Sequence, residues 1–136
     1  MTQEDKELLL KDLCARLPYG VKVEITHWRN RDKGMIDSRI FHVPLDINKA
    51  SVLIKPTSDI RPYLFPLSSM TEEQIYNNPI GFSQMTTILA NRDWERITIK
   101  HTELCRLIDW FNKNHFDWRG LIPMGLAVDA TGKGIY

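Results

Sequence analysis

Hydrophobic positions change their period several times along the chain, and each change marks an element. Between Thr2 and Leu17, the apolar residues Leu9, Leu10, Leu13 and Leu17 form a stripe at helical spacing, with Lys6, Glu7, Lys11 and Asp12 mostly outside it. Thr2 with Asp5 has the form of a capping box, although Asp is a weaker partner there than Glu. Pro18, Tyr19 and Gly20 stop this helix and turn the chain. Alternation then replaces the helical period. Val21, Val23 and Ile25 alternate with Lys22, Glu24 and Thr26; Phe41, Val43 and Leu45 alternate with His42 and Pro44; Ala50, Val52 and Ile54 alternate with Ser51, Leu53 and Lys55.

A one-residue slip would flip a whole strand face, so the pattern predicts a register. Pairing Val21 with Leu45, Val23 with Val43 and Ile25 with Phe41 puts every apolar residue on one face and leaves a loop from Arg31 to Met35. Pairing Leu45 with Ala50, Val43 with Val52 and Phe41 with Ile54 does the same for a second hairpin, turned at Asp46 to Lys49. Pro44 then falls near a strand end, where its missing donor matters least. The other face carries Glu24, His42 and Leu53, then Thr26, Ile40 and Lys55, with Trp28 beyond. Its large apolar groups call for a cover, either the chain's own C-terminal segment or a partner.

Pro62 and Pro66 bar Ile60 to Leu67 from a central strand, so an extended edge segment or a turn is expected. Thr71 to Gln74 forms a capping box and predicts a short helix to Tyr76. Asn77, Asn78, Pro79 and Gly81 form a loop. Phe82 to Asn91 fits strand and helix equally, and residues 77–93 stay unassigned as a whole. Trp94 to Lys100 reads as a strand. It leads into a helix with Thr102 as N-cap, Glu103 in its first turn, and Leu104, Leu107, Ile108 and Phe111 on one face. Phe116 and Trp118 cannot share a face of that helix, which predicts an end near Asn114 or His115 and a turn that folds back. Residues 116–121 are then either a clamp on the domain, with Phe116 and Trp118 over Ile40 and Leu53, or an exposed partner-binding patch. Arg119 would pair with Asp117 or cap the helix end. The whole predicts one α+β domain over residues 1–136. It has a three- to four-stranded antiparallel meander with the N- and C-terminal helices packed on its apolar face, and a core of Leu13, Val23, Phe41, Val43, Val52, Leu107 and Phe111.

Size and composition fit that reading: 136 residues suffice for one core without staples, and 43% hydrophobic with 26% charged residues argues against disorder. Eighteen basic and 17 acidic residues leave a net charge of +1, so attraction to nucleic acid or to an anionic membrane would need a local patch. The acidic, polar start and the short apolar runs predict no signal peptide and no membrane span, hence a cytoplasmic protein. Cys14 and Cys105 lie in apolar helical stretches and read as buried reduced thiols; a bridge between them or a reactive thiol are the alternatives.

Chemistry is sparse. His27, His42, His101 and His115 lack helical metal-pair spacing, although His42 could face Glu24 in a cross-strand ion pair. Asp precedes Trp at Asp93, Asp109 and Asp117, yet nothing brings those carboxylates together, and solvated faces are the simpler reading. Ser68 and Ser69 lack the strand–turn–helix setting of an exposed nucleophile. Gly132, Lys133 and Gly134 lack the spacing and the following helix of a phosphate loop. No catalytic residue, metal site or cofactor is therefore expected. Two surfaces stand out instead. Trp110, Phe116, Trp118 and Arg119 are of the types that dominate protein interfaces. Trp28, Arg29, Arg31 and Lys33 form a basic, aromatic hairpin tip of the kind that touches nucleic-acid backbone and stacks on bases; Asp32 and Asp37 dilute it.

Three stretches, Leu8 to Val23 (LLLKDLCARLPYGVKV), Ile60 to Gln74 (IRPYLFPLSSMTEEQ) and Asp109 to Ala127 (DWFNKNHFDWRGLIPMGLA), resemble a family of small proteins common in Bacteroidales genomes and their prophage-like and mobile regions. The resemblance covers both ends of the chain and is weak between about Asn77 and His101. It implies a context, a bacterial or phage cytoplasmic protein accessory to mobile DNA, and transfers no activity or catalytic residue. The expectation is a non-catalytic interaction protein with a protein partner. The alternative is a nucleic-acid-binding β module, and an enzyme of unknown class is the third reading.

Overall fold

Thr2 opens the first helix as its capping box requires. In the computed structural model, which describes residues 2–28, 36–37, 43–44, 58–91 and 99–136 (of 25–28, 36–37, 43–44, 58–59 and 91 the backbone alone), α1 spans Gln3–Arg16. The Thr2 hydroxyl accepts the Asp5 N–H at 3.1 Å and the Asp5 carboxylate accepts the Thr2 N–H at 2.9 Å. These bonds hold the Asp5 carboxyl below the usual carboxylate range. The buried face of α1 is Leu9, Asp12, Leu13 and Arg16, whereas Leu10 is 46% exposed. This corrects the expected all-leucine stripe: the i, i+3, i+4, i+7 spacing that contains Leu9 and Leu13 also contains Asp12 and Arg16. A 3-10 turn, Leu17–Tyr19, ends at Gly20 with φ of +68°, a left-handed conformation that favours glycine.

The sheet is mixed. Strand β1 (Lys22–Trp28) pairs antiparallel with β2 (Ile36–Asp37) and β3 (Val43–Pro44) along one edge, and with β4 (Ser58–Leu64) along the other; β5 (Val128–Asp129) lies parallel beside β4. The Val23–Val43 pairing is the one the alternation predicts. At the far end His27 pairs with Asp37, where the expected register opposes it to Arg39, so the register there differs by two from the expected one. Ala50 to Lys55 and Trp94 to Thr98, which hold two further expected strands, lie outside the described residues.

Pro62 sits inside β4, directly opposite Val23, which corrects the expectation that Ile60 to Leu67 lies at an edge or in a turn. The Ala130 N–H donates to the Leu64 carbonyl, so the polar backbone groups of Leu64 face β5, and those of Pro62, two residues earlier, face the same side. The missing proline donor is therefore not taken from the β1–β4 ladder. Glu24 and Arg61 are opposed across that ladder and form a 3.2 Å ion pair, so the partner of Glu24 is Arg61.

Thr71 and Gln74 close their capping box around α2 (Glu72–Tyr76). Buried Asn78 ties the next loop, donating to the Ile75 and Gly81 carbonyls and accepting the Ile80 N–H. Phe82–Asn91 is helical and forms α3, with Met85 and Ile88 buried at the i, i+3 spacing. α4 covers His101–Lys113, with Lys100 as N-cap in place of the expected Thr102.

Two apolar clusters result. Leu9, Leu13, Val21, Val23, Ile60, Leu64, Leu121 and Leu126 join α1 to the sheet and the C-terminal turns. Met70, Met85, Ile88, Leu107, Phe111 and Phe116 join α3 to α4. Leu13 and Val23 thus belong to one cluster, Leu107 and Phe111 to the other, while Phe41 and Val52 lie outside the described residues. Cys14 and Cys105 are free and exposed, against the expected burial.

Asp12 and Arg16, both fully buried, connect the clusters. Arg16 Nε donates to Asp12 Oδ2 at 2.8 Å, and Arg16 Nη2 donates to the Phe116 carbonyl at 2.7 Å. Removing one partner of such a pair strands the other charge in an apolar interior. Asp12→Ala should therefore lower stability by about 3–5 kcal/mol, read from urea denaturation. Asp12→Leu combined with Arg16→Met should recover most of that loss, a result incompatible with the pair being a dispensable surface contact.

Candidate partner-binding site

The candidate site grows out of the way α4 ends. The His115 N–H donates to the Asn112 carbonyl and the Phe116 N–H to the Phe111 carbonyl, while His115 takes φ of +61°. This is a Schellman ending with histidine at the position glycine usually holds, and its customary apolar contact is the edge-to-face packing of Phe116 on Phe111 at 6.3 Å. The helix ends where the sequence pattern places it, and the chain folds back. Residues 115–117 then run beside the end of β4: the Phe65 N–H donates to the His115 carbonyl and the Asp117 N–H to the Phe65 carbonyl, each at 2.8 Å.

His115 stacks on Tyr136 with ring centroids 3.7 Å apart. The Tyr136 hydroxyl donates to the Tyr63 carbonyl at 2.8 Å and accepts the Lys22 N–H at 2.9 Å, and burial pushes its phenol up to about 12. Burial, with Arg16 and Lys22 close by, brings the His115 imidazole down to about 4, and its Nδ1 is buried with no hydrogen-bond partner.

Beyond Phe116 the chain climbs to the surface. Asp117 is 6% exposed, and its two carboxylate oxygens accept the N–H groups of Leu121 and Ile122, each at 2.8 Å. Asp117 therefore shapes the following turn and is not the expected partner of Arg119. Trp118 is half-buried, and its indole Nε1–H donates to Asn112 Oδ1 at 2.9 Å. The Arg119 guanidinium lies 4.1 Å over the Trp118 ring, and its Nε stands 3.3 Å from Asp12 Oδ1 without hydrogen-bond alignment.

Trp118 and Arg119 line a groove of about 310 Å³ with Pro66, Leu67, Ile88 and Ile122 among its apolar walls and Ser68 exposed on it. Three separate segments build it: the turn after β4, α3, and the stretch from Asp117 to Pro123. Of the four residues predicted for partner binding, then, Trp118 and Arg119 are in the groove. Phe116 is core, 1% exposed, and half-buried Trp110 stacks on it at 5.6 Å. Ile40 and Leu53, expected beneath Phe116 and Trp118, lie outside the described residues. The same holds for Arg29, Arg31 and Lys33 and for the side chain of Trp28, which ends β1.

Sequence reasoning missed Asp12 and Asn112, which position the groove, and the α3 residues that wall it. An opposite-charge pair at i, i+4 on the Leu9 and Leu13 face was the available signal for Asp12. Tyr76 and Phe82, both exposed, stack at 4.6 Å and do not line the groove. The Ser69 hydroxyl donates to the Pro66 carbonyl. Among the described residues no group of three or more His, Cys, Asp or Glu could hold a metal ion, and no helix is long and apolar enough to cross a membrane. No protein-family model, curated protein or solved structure matches the chain.

Two outcomes follow. Above pH 6.5 His115 is neutral in both states and contributes no slope; between there and about 4 the unfolded chain binds a proton that the folded chain does not. Stability should fall with pH through that window, and the fall should be smaller in His115→Asn, because Asn tolerates a left-handed backbone and does not titrate. Paired thermal melts at stepped pH measure the difference. Trp118→Ala should cost about 1–3 kcal/mol, below the range for a fully buried Trp, because part of the ring already meets solvent. A cost equal to that of Phe116→Ala in chemical denaturation would make Trp118 core and remove the groove's main wall.

Proposed function

We propose that this chain is a non-catalytic interaction module, and that the groove at Trp118 and Arg119 is where it holds a protein partner. One observation carries the reading: a Trp anchored by Asn112, and an Arg stacked on that Trp with its Nε beside Asp12, stand next to apolar walls in a concave site. Fixing such side chains in advance removes part of the ordering cost of binding, and Trp and Arg are the types that most often dominate interface energetics. The resemblance to small Bacteroidales proteins of prophage-like and mobile regions supplies the context, a cytoplasmic accessory to a phage or mobile element. The same reading continues the sheet past β3 as an antiparallel meander through Ala50 to Lys55.

Photo-crosslinking in the native host tests it, with a reactive amino acid at Ser68, which lines the groove and is exposed. A discrete protein adduct, lost on Trp118→Ala, is the expected result. Crosslinking to nucleic acid instead, salt-sensitive and lost on Arg31→Glu, would replace this reading with that of a nucleic-acid-binding module using Trp28, Arg29, Arg31 and Lys33.

A further inference from the structure

We infer that the occupant of the groove is an extended segment of a partner protein that carries an Asp or Glu beside a bulky apolar residue; this rests on the proposed binding role of the groove. Two charged side chains meet the groove, and they are not equivalent. Asp117 is buried, and both its oxygens are engaged by the N–H groups of Leu121 and Ile122. Arg119 is open by contrast. Trp118 covers one face of its guanidinium, Asp12 approaches Nε, and among the described residues nothing accepts a hydrogen bond from its terminal nitrogens.

Nor does Asp12 neutralise Arg119. Its Oδ2 is committed to Arg16, which is fully buried, so one carboxylate is shared between two guanidinium groups and reaches only the Nε of Arg119. A planar fork of free guanidinium N–H donors is matched by a carboxylate, which binds it in two parallel hydrogen bonds. Phosphate would match the fork as well, but most of the remaining wall is apolar, with Leu67, Ile88 and Ile122 on it, and the Asp117 carboxylate nearby disfavours a second full negative charge. At about 310 Å³ the groove lies at the small end of ligand sites. That is room for one or two side chains of a longer chain, with the acid on the Arg119 rim and the apolar group inside.

Displayed random heptapeptides panned on the wild-type protein test this, followed by synthesis of the best binder with its acidic residue and with Gln in its place. Binding is read from the Trp118 indole N–H resonance, assigned with Trp118→Phe. The expected result is selection of an acidic residue next to a bulky apolar one. Arg119→Gln should then weaken the acidic peptide about tenfold or more, while the Gln peptide binds both proteins alike. Ser68→Glu, a change at an exposed position that leaves the fold intact, should weaken the acidic peptide too. Selected peptides that shift the Trp118 resonance but are neutral or basic would overturn the acidic occupant and leave the binding groove standing. If no selected peptide moves that resonance, both readings fall.

Discussion

The structure depends on one buried contact, the hydrogen bond from Arg16 to the Phe116 carbonyl, made between positions 100 residues apart in sequence. Arg16 can be interior at all only because Asp12 sits one helical turn before it and shares its burial. An ion pair of this kind adds little stability over an apolar pair of similar volume, since taking both charges out of water offsets most of their attraction. What it fixes is geometry. A leucine in place of Arg16 would fill space, but it could not specify which carbonyl of the C-terminal turn lies against α1. The two apolar clusters meet through that specification, because Leu13 belongs to one and Phe116 to the other.

Phe116 is in turn held from several directions. Its N–H closes the end of α4, its carbonyl accepts the hydrogen bond from Arg16, and its ring packs against Phe65, Phe111 and Trp110. A turn leaving so constrained a residue has little freedom, and the bonds from Asp117 to Leu121 and Ile122 remove much of the rest. The groove thus inherits its shape from the core. Left-handed His115 fits the same logic. A backbone conformation costing on the order of 1 kcal/mol persists where the surroundings over-determine it, and here Tyr136 stacks on the ring while Phe65 binds the carbonyl.

The parts of the fold that could be read from residues alone are those governed by local rules. Thr2 with Asp5 and Thr71 with Gln74 cap their helices because capping depends on four neighbouring residues. The end of α4 follows from an apolar period that stops at Phe111. Val23 meets Val43 because alternation permits few registers. Long-range competition set the rest. Pro62 argued against a strand, and only its direction within the ladder makes it harmless. Asp12 reads as mostly outside the apolar stripe, and although its i, i+4 spacing from Arg16 is a local signal of a pair, only the packing shows that the pair is buried against the C-terminal turn. The site divides along the same line. The residue types at 116–121 drew attention to Trp118 and Arg119, but the walls from Leu67 and Ile88 come from distant parts of the sequence, and only the packing of α3 brings them there.

The choice the sequence posed for residues 116–121, clamp or patch, turns out to be a gradient along three consecutive residues. Phe116 is core, Asp117 is buried but spends its charge on the turn, and Trp118 is half-buried with one polar edge anchored by Asn112. Anchoring matters for recognition because a Trp free to change rotamer would lose that freedom on binding, at about 0.5–1.5 kcal/mol. Arg119 extends the gradient by one step, with its guanidinium over the indole and its Nε drawn towards Asp12. Folding energy therefore fixes the two side chains that binding would use. The buried Asp12–Arg16 pair, which contributes little net stability itself, serves the surface by way of the core.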